Sequence, residues 1–308
     1  MSDPMPAVVA VIVNFNGGEI VLETIESLQA SNYPELNIIV VDNNSHDRSA
    51  ERISSEYPKV LLIRNKKNLG FAIGCNQGME AGFEQSAEHI LFINSDATVE
   101  ENTISGLVEV LLSKQKAGAV TPVILYHDKR DMIWYGGGYV LIHLGAVGHL
   151  FLRKTYKQKN LRFNQTDYLT GCIFLARSSV LRDIGGFDDS FGLYSEDVDL
   201  SIRMRESGWE LWIDPDIKSY HRVSASMGGE LSPFKAFYRS RSMLLLFKKH
   251  APNWWWTLPL MFGFFGGTMI SLKLLFRGKI KAVFALWNGS ISGIFGLEIP
   301  TKYKMKDS

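Results

Sequence analysis

Cysteine is scarce in this chain: Cys75 and Cys172 are the only two in 308 residues. Neither belongs to a CxxC or Cys/His cluster, which excludes a disulfide framework and a zinc ribbon and suits a reducing compartment. Net charge is also scarce, at +1. That small sum is a cancellation, since residues 1–240 carry −7 and residues 241–308 carry +8. Met1 to Pro6 (MSDPMP) lacks the basic and apolar regions of a signal peptide, so export by that route is not expected. No GxGxxG follows the first apolar run, which disfavours a nucleotide-dependent oxidoreductase. Internal repeats and low-complexity segments are absent, and nucleic acid is not expected among the partners. What is present is 46% hydrophobic, 12% aromatic and 21% charged, the make-up of a folded globular protein. The length suits one large α/β domain with an appendage, or two ordinary domains.

Ala7 to Val13 (AVVAVIV) is a continuous, β-branched apolar run, as a strand buried on both faces requires. The turn signal Asn14-Phe15-Asn16-Gly17-Gly18 ends it, and Ile20, Leu22, Ile25 and Leu28 then recur at helical spacing. The alternation repeats: Leu36 to Val41, then a helix over Ser49 to Tyr57; Val60 to Ile63, then Asn65 to Gly78; and His89 to Ile93, stopping at Asn94-Ser95-Asp96. Strands alternating with helices predict an open parallel α/β sheet, with ligands beyond the carboxyl ends of its strands. From Thr121 to Gln165 the pattern weakens. Gly136-Gly137-Gly138 and the basic stretch Arg153 to Arg162 suggest mobile connections or a lid over the site. Regularity returns at Thr170 to Leu181, and a strand over Glu210 to Ile213 precedes an expected turn, Asp214-Pro215-Asp216.

Polar residues cluster where such strands end. Asp42 could accept hydrogen bonds from a pyrimidine imide or a ribose hydroxyl, although a helix cap or Asx-turn is the commoner use of such a residue. The glycines of Asn68-Leu69-Gly70-Phe71-Ala72 and Gly74-Cys75-Asn76-Gln77-Gly78 suit either close approach to a ligand or close packing. Asn94-Ser95-Asp96 offers oxygen ligands to a hard divalent ion that also binds diphosphate, or else a capping turn. Glu196, Asp197 and Asp199 put three acids at the start of an apparent helix, more than a cap or the helix dipole requires. One of them could serve as a general base. His221 is a candidate metal ligand if Asp96 is one.

In order along the chain, VIVNFNGG, VVDNNSHDRS, NLGFAIGCNQG, FINSDATVE, LTGCIFLARSSVLRDIGGFDDSF, YSEDVDLSIRMRESGW and HRVSASMG resemble the inverting family 2 glycosyltransferases of the GT-A fold. The resemblance covers about residues 7 to 250, and within the family it is strongest to bacterial-type rhamnosyltransferases of cell-surface polysaccharide synthesis. It implies an α/β GT-A domain over residues 1–232, with an apolar, basic helical extension over 233–308 that associates with membrane. It places Asp42 on the nucleobase, Asn14, Asn16 and Asn43 in the wall of the nucleotide pocket, and Asn68, Gly70, Asn76 and Ser95 also at the donor. Asn94-Ser95-Asp96 takes the place of the DxD motif, departing from it at Asn94. Asp96 would be the principal ligand of Mg²⁺ or Mn²⁺ and His221 a second contact. Asp197 matches the catalytic base, beside Glu196; Asp188 and Asp189 lie near the acceptor, and Arg203 would offset leaving diphosphate charge. The donor implied is dTDP-rhamnose, with UDP-galactofuranose, UDP-glucose and GDP-mannose as alternatives. The acceptor would be a glycan or polyprenyl-linked sugar. A sugar-nucleotide-binding protein without catalysis is the rival reading, against which Asp96, Asp197 and His221 all stand.

The tail carries its own signal. Phe234 to His250 mixes bulky apolar residues with Lys235, Arg239, Arg241, Lys248, Lys249 and His250, and Trp254-Trp255-Trp256 follow. Leu272 to Ala282 repeats the mixture, and Lys302, Lys304 and Lys306 close the chain. Rings beside cations suit a membrane interface with anionic headgroups, here at the cytoplasmic face of the cell membrane. Ala251 to Leu272 is uncharged and about long enough to cross a bilayer, but Pro252, Asn253 and Pro259 interrupt it. Spanning, dipping in and lying flat all remain open at this level, as does a helical pair packed on the catalytic domain with a solvated basic face.

Overall fold

A computed structural model describes residues 5–157, 161–223, 232–251 and 257–304, with backbone alone for 257–265. Trp254-Trp255-Trp256, most of the HRVSASMG motif and Lys306 lie outside the described residues.

The first half is built as the apolar runs require. Strands β1 (Val8–Asn14), β2 (Leu36–Asp42), β3 (Leu61–Arg64) and β4 (His89–Asn94) pair in parallel, in the order β4-β1-β2-β3. Helices α1 (Gly18–Gln29), α2 (Ser49–Glu56) and α3 (Phe71–Glu84) supply the crossovers. Val9 and Val11 of β1 point to one side of the sheet and Val8, Ala10 and Ile12 to the other, each set inside its own apolar core. The glycines of α3 are explained by this packing. A methyl group on Gly74 would lie 2.9 Å from the Val13 side chain, on Gly78 2.3 Å from Val11, and on Gly82 2.7 Å from Ile90. They bring helix backbone onto β1 and β4.

Beyond β4 the sheet becomes mixed. Strand β11 (Ile173–Arg177) is antiparallel to both β4 and β6 (Ala117–Tyr126), and β12 (Glu210–His221) runs parallel to β6. Residues 121–165, where the sequence pattern weakens, still contribute strands; of the two stretches expected as mobile connections, Gly138 begins a strand, and part of Arg153 to Arg162 lies outside the described residues. Strand β7 (Lys129–Tyr135) folds back on β6, β8 (Gly138–Leu141) and β9 (Ala146–His149) form a separate hairpin, and β10 (Asn164–Gln165) edges β12. The expected turn at Asp214-Pro215-Asp216 is corrected in the same way. It is a bulge inside β12: Asp214 pairs with Pro122, and the next pair is Lys218 with Val123. A bulge tolerates proline because its N–H has no place in the ladder.

Helix α4 (Thr103–Ser113) covers one face of β6, while α5 (Ser178–Ile184) and α6 (Glu196–Glu206) follow β11. The tail forms α7 (Pro233–His250), α8 (Thr257–Phe276) and α9 (Ile280–Phe295). Helix α7 is stapled to the catalytic unit: Leu246 and Phe247 join its main core, and Arg241 donates to the Ser190 and Phe191 carbonyls at 2.9 and 3.3 Å. Helix α9 crosses α7 at backbone contact, since a methyl on Gly289 would lie 2.1 Å from the Phe237 carbonyl oxygen.

Candidate functional site

The carboxyl ends of β1, β2 and β4 open toward one side, and polar residues line them. Asn14, the last residue of β1, is fully buried and donates to Asp42 Oδ1 at 2.8 Å and to Ser49 Oγ at 2.9 Å. Asp42 Oδ2 accepts from the Ser45 N–H at 3.1 Å. The Asn43 amide donates to the Gly70 carbonyl at 3.0 Å and accepts from Asn65 at 2.9 Å. Two buried asparagines and a buried aspartate thus tie three βα turns together. Asn14, like Asp42 and Asn43, is almost wholly buried. Asn16 is exposed and accepts from the His46 N–H at 2.8 Å. Asn68 accepts from the Gly70 N–H at 3.0 Å, and Gly70 takes the left-handed φ of 89° that the turn into α3 demands. Asn76 is a correction: both its amide atoms close on the Phe187 backbone, donating to its carbonyl at 2.8 Å and accepting its N–H at 2.9 Å. It joins α3 to the turn before α6, so its main partners are backbone.

Asp96 and His221 meet through sheet register. The short strand β5 (Ala97–Val99) pairs antiparallel with the end of β12, opposing Ala97 to His221, which sets Asp96 Oδ1 3.0 Å from His221 Nε2. The Asp96 carbonyl accepts the Arg222 N–H at 2.9 Å, and the carbonyl of Ser95 accepts from Thr24 Oγ1 at 3.0 Å. Burial works against a charge on His221, but Cys172 and Asp96 beside it outweigh that and push its pKa up to about 10. Since burial keeps Cys172 itself a neutral thiol, the Asp96 carboxylate is the partner that holds the imidazolium. The Trp134 ring lies edge-on to His221 with centroids 4.4 Å apart, and His149 packs against the same indole at 4.7 Å. No sequence signal singled out Trp134 or His149.

The second centre is the start of α6. Tyr194 and Ser195 both take left-handed backbone, with φ of 66° and 65°, a strained double turn that leads straight into Glu196 and Asp197. The Gly171 N–H donates to Asp197 Oδ2 at 2.8 Å and the Val198 N–H to Oδ1 at 2.8 Å. Burial nevertheless leaves Asp197 above the ordinary carboxylate range. Glu196 is buried, and its Oε2 has no hydrogen-bond partner among the described residues. Burial first, and the neighbouring Asp197 charge second, push the Glu196 pKa up to about 8. Two donors favour the anion at Asp197 and none does at Glu196 Oε2. In this pair Asp197 therefore ionises first while Glu196 keeps the proton.

The two centres adjoin. Gly171 holds Asp197, while the next residue, Cys172, lies beside His221 and accepts the Asn94 N–H on its carbonyl at 2.8 Å. Both Asp96 and Asp197 act electrostatically on the Cys172 thiol. One step of backbone thus separates an acid–imidazole pair from an acid–acid pair.

Other candidates are engaged elsewhere. Asp199 is fully buried and accepts from Arg203 Nε at 2.8 Å, Lys249 Nζ at 2.7 Å and His250 Nε2 at 2.8 Å. Arg203 also donates to the Ile184 and Gly186 carbonyls at 2.8 and 2.7 Å. Its expected role toward diphosphate is corrected: the guanidinium fork stitches α6 to the preceding turn. Asp188 caps a 3-10 turn through the Ser190 N–H and pairs with Lys249 at 2.6 Å. Burial would raise its pKa, but Lys249 and Ser190 hold it near 2. Asp189 is exposed at the same turn. Four of the α7 cations expected to face lipid are instead engaged by the protein: Lys249 and His250 on Asp199, Arg241 on the Ser190–Phe191 turn, and the exposed Lys248 on the Ile294 carbonyl at 3.0 Å.

A mixed central sheet flanked by helices, with its parallel half ending in polar residues, is the architecture of the GT-A transferases. Solved structures agree on the fold. The chain superposes on a mannosyltransferase from Pyrobaculum calidifontis, solved with GDP-Man and Mn²⁺, with a TM-score of 0.60 at 14% identity, covering 96% of this chain and 89% of that one. It superposes on GalNAc-T7, solved with UDP, GalNAc and Mn²⁺, with a TM-score of 0.58 at 16% identity, over 80% of this chain and 52% of that one. Residues 9–185 match the model of glycosyl transferase family 2, and the chain belongs to that family. Among its relatives is the N-acetylglucosaminyl-diphospho-decaprenol L-rhamnosyltransferase of Mycobacterium tuberculosis, 24% identical over 91% of this chain and 95% of that protein. Another is the poly-beta-1,6-N-acetyl-D-glucosamine synthase of Staphylococcus epidermidis, 23% identical over 70% of this chain and half of that protein.

Proposed function

We propose that this glycosyltransferase inverts configuration as it moves a sugar, L-rhamnose from dTDP-rhamnose in the first instance, onto a hydroxyl of a polyprenyl-linked or glycan acceptor in cell-surface polysaccharide synthesis. The observation that carries the reading is the adjacency of the Asp96–His221 and Glu196–Asp197 pairs across Gly171-Cys172. Likeness to the mycobacterial rhamnosyltransferase along nearly its whole length supports rhamnose over UDP-galactofuranose, UDP-glucose or GDP-mannose.

Charge dictates the division of labour. Displacement at the anomeric carbon needs a base for the incoming hydroxyl and stabilisation of the departing diphosphate. Asp197, the member of its pair that ionises first, takes the hydroxyl proton. Glu196, protonated to about pH 8, adds no second negative charge beside it. His221 and Asp96 face the diphosphate, Asp42 reads the pyrimidine imide, and Asn16, Asn43, Asn68, Gly70 and Ser95 shape the donor pocket.

Asp96 and His221 would suit Mg²⁺ or Mn²⁺ only once the imidazole gives up the proton it shares with Asp96, since a carboxylate oxygen and a neutral imidazole nitrogen would then lie side by side and metal binding would release that proton. No group of three or more His, Cys, Asp or Glu side chains that could hold a metal occurs among the described residues, so diphosphate oxygens and water would complete the shell. When bound, the ion neutralises charge on the leaving diphosphate. The apolar, basic composition of residues 233–308 supports association of that region with the cytoplasmic face of the cell membrane. Among the described residues no helix is long and apolar enough to cross a membrane.

The test is calorimetric titration of a panel of nucleotide sugars, with and without Mn²⁺, into wild type and Asp96→Ala. The reading expects dTDP-rhamnose to bind best and Asp96→Ala to lose about tenfold or more in the Mn²⁺-dependent part of the affinity. Equal binding of all donors, or an unchanged Mn²⁺ effect in the variant, would overturn the donor assignment or the metal assignment respectively.

A further inference from the structure

Two stretches of this chain contain no acidic residue. One lies between Asp131 and Asp167, the other between Glu230 and Glu298. Both are basic: the first contains Arg153, Lys154, Lys157, Lys159 and Arg162, and the second ends in Lys273, Arg277, Lys279 and Lys281. The fold brings them together, because the 3-10 turn Ile142–Leu144 at the tip of the β8–β9 hairpin lies against α8.

The same two elements expose large apolar side chains. On α8 and α9, Met269 is 70% exposed, Phe276 90%, Phe284 67% and Phe295 68%. On and beside the hairpin, Leu141, Leu144, Leu150 and Leu152 are each 40–52% exposed. The exposed cations Lys154 and Lys157 follow the hairpin, and Lys273, Arg277, Lys279 and Lys281 follow the apolar face of α8. Large exposed apolar side chains on adjoining elements mark an interaction site, and the cations beside them favour an anionic partner, since Asp167, the acid that accepts the Val140 N–H of the hairpin, is paired with Arg205.

The root of the hairpin belongs to the site. His149, the last residue of β9, donates from its ring to the Trp134 carbonyl at 3.1 Å and packs on the indole that covers His221. One hairpin therefore reaches from the donor-diphosphate end of the site to the apolar surface beside α8.

We propose that the β8–β9 hairpin is a second membrane-contact element, which docks with the α8–α9 face on an anionic phospholipid bilayer and thereby holds the site at the lipid surface. The proposal deepens the membrane reading given above and rests on it. Leucines at the hairpin enter the headgroup and acyl boundary, while the lysines and arginines face phosphate groups.

The experiment is flotation of the full-length protein with phosphatidylcholine vesicles, with and without phosphatidylglycerol. Three proteins are compared: wild type, the hairpin pair Leu144→Glu/Leu152→Glu, and the helix pair Phe276→Glu/Phe284→Glu. Melting temperature and nucleotide-sugar binding check that each variant is folded and that its donor site is intact. Wild type is expected to float with the anionic vesicles only, and less so at high salt. Each pair should lower that binding about tenfold or more, with donor binding unchanged. If the helix pair loses binding and the hairpin pair keeps it, the hairpin proposal is overturned while the membrane reading stands. If wild type floats with neither vesicle, the membrane reading itself fails. A wild-type dimer that the hairpin pair dissociates, without vesicle binding, would assign the face to a second copy of the chain and overturn the proposal.

Discussion

Replacing Glu196 by Gln isolates the energetics of the buried acid pair. Glutamine has nearly the same shape, and because Glu196 Oε2 has no hydrogen-bond partner among the described residues, the swap breaks no bond there. It removes only the titration. In the folded protein Glu196 holds its proton to about pH 8, against an ordinary value of 4.5. Across that interval the unfolded chain has released a proton that the folded chain retains, so stability falls as pH rises by ~1.4 kcal/mol per unit. Between pH 5 and pH 8 the wild type should lose on the order of 4 kcal/mol from this source, and Glu196→Gln none of it. Other groups titrate in the same range. His89, kept neutral down to about pH 4 by burial and by Arg177, contributes stability that is present above ~6.5 and lost as pH falls. That term is common to both proteins and cancels in the difference. Urea unfolding at half-unit intervals, compared at equal m, gives two curves. They should coincide near pH 5 and diverge toward pH 8, with the variant the more stable. Parallel curves would refute the claim that Glu196 is protonated in the folded enzyme, and with it the argument that Asp197 alone of the pair is ionised.

The remaining expectations concern Asp197 and the α6–α7 clamp. Asp197→Asn should lower kcat by about 10²- to 10⁴-fold, the ordinary contribution of a general base, while nucleotide-sugar affinity measured by calorimetry stays within about threefold. Near wild-type turnover would remove Asp197 from the mechanism. Lys249→Met should cost about 1 kcal/mol near pH 6, a figure reduced for the partial exposure of the pair. Asp188 has a depressed pKa, so the contribution is present above ~4 and lost as pH falls toward 2. Acid unfolding of the two proteins should therefore converge at low pH, and a gap that persists at pH 2 would show that Lys249 acts by packing.

Much of the donor half was legible because each apolar run ended in a polar cluster, and a parallel strand buried on both faces cannot be written otherwise. The antiparallel half was not. Residues 121–165 alternate weakly and carry three consecutive glycines, and there strands are held by long-range pairing that leaves little local trace. Asp214-Pro215-Asp216 has the composition of a turn, and only its pairing with β6 makes it a bulge. Asp96 and Asp197 were visible as types in context, but the register that sets Ala97 opposite His221 was not. Arg203 stands at the i,i+4 spacing from Asp199, a local signal for a pair on one helix face. Lysines and histidine on an apolar helix read equally well as lipid contacts or as partners of a buried acid. Asp199, the third acid of its cluster, was the clue to the second use.

The central claim is single displacement with Asp197 as the base and the diphosphate held at Asp96 and His221. The most direct measurement is the anomeric configuration of the newly formed bond, read by NMR after transfer from dTDP-rhamnose to a polyprenyl-linked glycan acceptor. The account predicts a single product whose anomeric configuration is opposite to that of the donor, formed by wild type and not by Asp197→Asn. A product that retains the donor configuration would contradict it.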